Sequence, residues 1–167
     1  MRRISILLLC SIALSCNGQQ KVSPLPTADK ESKNGESFSV HKTDSTWRSE
    51  LSDMAYFVLR KSGTEPPNSS ELLHEKSKGN FVCAGCGTPL FESEYKYDSG
   101  SGWPSFDRET KGNVAYSVDT SFGMRRVEEH CAVCGGHLGH VFDDGPRKTT
   151  GKRHCINGAA LKFVPAQ

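Results

Sequence analysis

At 167 residues the chain is long enough for one domain and a tail. Its 21 Lys and Arg face 19 Asp and Glu, and removing residues 1–15 takes away Arg2 and Arg3 and leaves 19 of each sign. That balance gives no basic surplus with which to grip a phosphate backbone, so no nucleic-acid partner is expected.

The N-terminus reads as an export signal. Arg2 and Arg3 precede a short apolar run, Ile4 to Leu14. This is too short for a permanent span, which needs about 20 apolar residues. The run ends Ala13-Leu14-Ser15-Cys16, small residues before a cysteine, as in a bacterial lipobox. Residues 1–15 are therefore expected to be a lipoprotein-type signal and Cys16 the lipidated residue. The mature chain would be held on the periplasmic side of a bacterial envelope membrane. An ordinary cleaved signal, or a cytoplasmic chain with an apolar start, is the alternative. Residues 16–45, rich in Lys, Ser, Asn, Gln, Thr and Pro, cannot bury enough apolar surface to offset their ordering entropy and are expected to form a flexible linker.

A domain is expected over 46–167. Ser52-Asp53 has the form of a helix start, Ala55, Val58 and Leu59 share a helical stripe, and Gly63 is the expected C-cap before Pro66-Pro67. Beyond Asn80 come short apolar runs: Phe81-Val82, Pro89-Leu90-Phe91, Val114-Ala115-Tyr116, Val141-Phe142 and Leu161 to Val164. Gly, Asp, Ser and Asn separate them, the pattern of short antiparallel strands. The expected class is mainly β, with two antiparallel sheets and a few short peripheral helices.

Two Cys-x-x-Cys-Gly turns, Cys83/Cys86 and Cys131/Cys134, stand 44 residues apart. Each offers two sulfurs from one tight turn, and two such halves complete a tetrahedral four-thiolate site for one structural zinc. Disulfide pairing or a redox-active pair are the competing uses.

Cys155, in Arg153-His154-Cys155-Ile156-Asn157, is the cysteine left over outside the signal. On a strand, Arg153, Cys155 and Asn157 share one face, and a cation beside a thiol favours its nucleophilic thiolate. A buried, inert Cys155 is the plain alternative. Gly135-Gly136-His137-Leu138-Gly139-His140 offers two histidines as proton donors; the cysteines already saturate a metal. The glycine-rich loop 98–106 carries Trp103-Pro104, either a rigid aromatic wall or a core residue.

Taken together, Gly63-Thr64-Glu65, both cysteine turns, Gly102-Trp103-Pro104-Ser105-Phe106, Gly139 to Pro146 and Arg153-x-Cys155-Ile156-Asn157 resemble the B-type methionine-R-sulfoxide reductases. The resemblance spans about Trp47 to Pro165. It implies two antiparallel sheets, a zinc site remote from the catalytic cysteine, and reduction of the R epimer of methionine sulfoxide, free or in proteins, with a thioredoxin-like reductant. It makes Cys155 the nucleophile and Trp103 the cradle for the substrate methyl, with Phe142 beside it. His137, His140 and Asn157 would surround the sulfoxide oxygen, and Arg153 would set the thiolate. Many members carry a resolving cysteine where this chain has Ser101, which implies a one-cysteine cycle. His154 and Gly158 also depart, from a frequent aromatic and a frequent serine. A monomer is expected. A zinc-stapled module that only binds, or a thiol–disulfide oxidoreductase, are the competing classes; a binding module does not require Cys155 with its Arg and Asn neighbours.

Overall fold

A computed structural model describes residues 38–167, so the expected signal, Cys16 and most of the expected linker lie outside the described residues. The folded region begins before the expected boundary at 46. Val40 N–H bonds the carbonyl of Val133 at 3.0 Å, and Thr43 N-caps helix α1, Asp44–Glu50. This helix carries Trp47 into the core and lacked the apolar stripe by which the next one was expected.

Helix α2, Asp53–Lys61, starts as expected: the Ser52 hydroxyl accepts the N–H of Ala55 at 3.2 Å. Its buried residues are Ala55, Tyr56, Val58 and Leu59. The C-cap differs from expectation. Ser62, not Gly63, takes the left-handed conformation, with φ 53°. A Cβ at Gly63 would lie 2.2 Å from the exposed Phe57 ring, which packs over the glycine.

Nine strands follow: β1 Gly79–Cys83, β2 Pro89–Glu92, β3 Lys96–Tyr97, β4 Ser105–Phe106, β5 Val114–Asp119, β6 Arg126–Cys131, β7 His137–Phe142, β8 Arg153–Ile156 and β9 Leu161–Pro165. They make two antiparallel sheets, ordered β2-β1-β9 and β3-β4-β8-β7-β6-β5. Every expected apolar run falls on a strand. Strand β6 was not expected, because Arg126, Glu128, Glu129 and His130 give it no apolar pattern; yet Glu128, Glu129 and His130 are buried.

Phe81, Phe91 and Phe106 fill the core between the sheets, with Phe91 stacked on Phe106 at 4.4 Å between ring centroids and Phe81 edge-on to Phe106 at 5.0 Å. Each contributes roughly 2–3 kcal/mol by burial. Along β8, His154 and Ile156 are buried while Arg153 and Cys155 are partly exposed, so one strand carries core residues on one face and the candidate chemistry on the other.

Candidate active site and metal centre

The two cysteine turns have the same backbone. In each, the glycine after the second cysteine has positive φ (78° at Gly87, 69° at Gly135) and its N–H bonds the carbonyl of the first cysteine at 2.8 Å. A residue with a Cβ would be strained there. All four sulfurs lie within 4.8 Å of one another, with Cys83–Cys134 at 3.7 Å and Cys86–Cys131 at 3.6 Å. A tetrahedron of sulfurs about 2.3 Å from a zinc ion has edges of about 3.8 Å. The thiols are unbridged, so this donor set fits a structural zinc and not the disulfide alternative. Four sulfurs leave no open position for a substrate.

Cys155 belongs to another place. Register across the sheet puts Cys155 opposite His140 on β7, and His140 opposite Glu128 on β6; on the other side Cys155 faces Ser105 on β4. Directly opposed side chains have Cβ atoms about 5 Å apart. Cys155 and His140 line one cavity of about 130 Å³ together with Thr64, Trp103, Arg126, Gly139, Phe142 and Asn157. Gly139 permits the close approach of β7 to β8, since a Cβ there would meet the Cys155 carbonyl oxygen at 2.0 Å.

Trp103 forms one wall, held by its indole N–H donating to the Glu65 carbonyl at 3.2 Å. Glu65 is a buried clamp. Its carboxylate accepts the N–H of Gly158 at 2.5 Å and of Ala159 at 2.9 Å, and its own N–H donates to Asn157 Oδ1 at 3.0 Å. Asn157 Nδ2 in turn donates to the Leu138 carbonyl at 2.9 Å. Asn157 therefore lines the cavity while tying the Trp103 wall to the end of β8.

Burial pushes the Cys155 thiol up; the Ser101 hydroxyl, 3.7 Å away, and the Arg153 guanidinium pull it down without overcoming that burial. Burial, the largest effect, thus holds Cys155 above an ordinary thiol, against the pull of Arg153. Arg153 is bound twice by Asp144, at 2.8 Å each, and lies 4.4 Å over the Phe142 ring.

Burial and the Arg126 cation lower the pKa of His140, against the opposing pull of Asp119. Asp119 Oδ2 accepts from His140 Nε2 at 2.8 Å, which leaves Nδ1 outside that bond. The Asp119 carboxyl is itself held low: burial raises it, but hydrogen bonds from Ser121 and His140 and the Arg126 charge prevail. His137 does not line the cavity. It sits behind His140, ring centroids 5.5 Å apart, and bonds Glu128 at 2.7 Å, which also accepts from Ser117 at 2.8 Å. It thus reaches the cavity through its contact with His140. Asp119, Arg126, Glu128 and Glu65 complete the site without having been singled out as site residues by sequence.

The SelR domain model matches residues 51–165. The chain belongs to the methionine-R-sulfoxide reductase family. It is 52% identical over 127 residues to the peptide methionine sulfoxide reductase MsrB of Leptospira interrogans, covering 75% of this chain and 96% of that one. It is 54% identical over 127 residues to the MsrB of Bradyrhizobium diazoefficiens, covering 75% and 91%. Methionine-R-sulfoxide reductase B3 of Mus musculus, a mitochondrial protein, is 52% identical over 120 residues, 71% of this chain and 47% of that one. The matched region of this reductase contains the metal centre and every residue of the Cys155 cavity.

Proposed function

We propose that the protein reduces methionine-R-sulfoxide, free or within polypeptides, to methionine. The observation that carries this is the convergence of Cys155, His140 and the Trp103 wall on one small cavity. The sulfoxide methyl packs on Trp103, and the oxygen lies toward His140. Cys155 attacks the sulfoxide sulfur as its thiol proton passes, through His140 Nδ1, to the oxygen, which leaves poorly unless protonated. A bond forms between Cys155 Sγ and the substrate sulfur; the protonated oxygen then passes as hydroxyl to Sγ as the substrate's sulfur–oxygen bond and the new sulfur–sulfur bond break, so methionine departs and Cys155 is left as a sulfenic acid. The substrate sulfur gains two electrons and the Cys155 sulfur loses two. A zinc ion held by Cys83, Cys86, Cys131 and Cys134 would tie the two turns together, with no open position for substrate. The S epimer would exchange methyl and oxygen, placing the oxygen on indole and the methyl among donors.

Among the described residues the other cysteines are the four of the metal centre, so an external dithiol of the thioredoxin type completes the cycle. Assaying separate R and S epimers of a methionine sulfoxide peptide with dithiothreitol tests the reading. R-selective turnover, lost in Cys155→Ser, is expected; equal turnover of both epimers, or none from zinc-loaded protein, overturns it.

We propose in addition that Cys16 carries a lipid that anchors the enzyme to an envelope membrane through the polar linker, a reading supported by the Ala13-Leu14-Ser15-Cys16 sequence. Metabolic labelling with a palmitate analogue should mark the wild type and not Cys16→Ala; label that survives the substitution refutes it.

A further inference from the structure

The tip of the β5–β6 hairpin exposes two large apolar side chains, Phe122 (88% exposed) and Met124 (51%). Phe122 has φ 55° and ψ 24°, and Gly123 follows with φ 70°. Successive left-handed residues at a hairpin tip favour Asn-Gly. A bulky aromatic at the first of them is a genuine outlier, disfavoured both by its backbone and by its exposure to water. The tip is nevertheless braced. Ser121 N–H bonds Asp119 at 2.8 Å, Met124 N–H bonds the Ser121 carbonyl at 3.1 Å, and Arg126 bonds Asp119 at 2.7 Å and Ser121 at 3.2 Å.

That bracing joins the tip to the active site. Asp119 holds His140, and Arg126 lines the Cys155 cavity. Met124 has extended backbone two residues before Arg126, so strand alternation puts it on the face of Arg126. The apolar tip therefore lies just beyond Arg126, which lines the cavity. A cavity of about 130 Å³ takes one side chain, and the rest of a polypeptide substrate must run along the rim.

We infer that Phe122 and Met124 form a docking surface for the polypeptide substrate, taking an apolar side chain that flanks the oxidised methionine. The inference rests on the reductase reading. Methionine is commonly buried among other apolar residues, so such neighbours are frequent around an oxidised one. From Cys155 to the level of Met124 is two strand spacings across and four residues along, roughly 16 Å, the span of about five extended residues. The preferred segment thus carries an aromatic or large aliphatic residue about five positions from the sulfoxide.

Two fluorescent peptides that differ only in Phe or Ser at that position test this by anisotropy on full-length Cys155→Ser protein, which reads docking without turnover. The Phe peptide should bind roughly tenfold more tightly, and adding Phe122→Asn and Met124→Gln should remove the difference. Asn suits the left-handed backbone, so the folded hairpin is retained, and Phe122→Asn alone should raise the Tm. Equal binding of both peptides by the Cys155→Ser protein, or a preference that survives both substitutions, overturns the inference. Turnover of free methionine-R-sulfoxide by the unsubstituted enzyme is measured alongside; its absence would defeat the reductase reading and leave the binding result standing by itself.

Discussion

The Ser101 hydroxyl lies 3.7 Å from the Cys155 sulfur and within 2.9 Å of the Ser99 hydroxyl, which reaches Ser105 at 2.7 Å. Position 101 is where many members of the family carry a resolving cysteine, and the structure puts it within reach of Cys155. Here it supplies a hydrogen bond that favours the thiolate but no second sulfur.

Ser101→Cys should therefore convert the cycle. After one turnover without reductant, non-reducing mass spectrometry should find a disulfide between residues 101 and 155 in the variant. The wild type should instead give a Cys155 adduct with a sulfenic-acid trap. A stoichiometric internal disulfide in the wild type would contradict the one-cysteine cycle.

The pH profile follows from the shifts at Cys155 and His140. The reactive form holds one proton on the pair, so kcat/KM rises as His140 loses its proton and falls as Cys155 loses its own. His140 lies below its ordinary 6.5 and Cys155 above its ordinary 9.0, which gives a plateau across neutrality. Asp119→Asn removes the carboxylate that raises His140, so the acid limb should move to lower pH. Plateau activity should also fall, because Nε2 loses its orienting partner. An acid limb that moves upward would contradict the assignment. His140→Ala should cost about 10²–10⁴-fold in kcat/KM.

Behind Cys155, on the opposite face of β8, His154 bonds the fully buried carboxylate of Glu129 at 2.6 Å. Burial alone would lower the His154 pKa, but Glu129 and then Glu109 raise it. Its contribution to stability is thus complete below its unfolded value near 6.5 and is lost as pH rises through the higher folded value. His154→Phe, the aromatic frequent in the family, should cost about 3 kcal/mol at neutral pH, because burial already pushes the Glu129 carboxyl up and His154 is the partner that holds it down. Glu129→Gln in the same chain should recover part of this. Urea titrations of both variants at several pH values check it, and an additive double variant would contradict the pairing.

Much of the fold was legible because its strands carry apolar residues between turn formers. What escaped was encoded in long-range pairs. β6 places Glu128 and Glu129 inside, where such residues are rare, because His137 and His154 meet them there. No local pattern announces a partner 25 residues away. Cys155, the four clustered cysteines, Trp103 and His140 stood out because their residue types and spacings carry chemistry, and the structure brings Cys155, Trp103 and His140 to one cavity. Asp119, Arg126 and Glu65 act through cross-strand register or backbone contacts, which only the folded chain displays.

Metal removal should unfold the protein. Chelation, or Cys131→Ser, should abolish the cooperative thermal transition, since structural zinc sites contribute on the order of 10 kcal/mol to folding. Elemental analysis should return one zinc per chain. A stable, cooperatively folded apo-protein would contradict the structural role.

The most direct test is a single turnover without reductant, with methionine released and Cys155 trapped in the same sample. One methionine per chain from the R epimer, none from the S epimer, and one sulfenic-acid adduct on Cys155 is the predicted result. Methionine released from the R epimer by the Cys155→Ser variant, or release without an adduct at Cys155, would contradict the account.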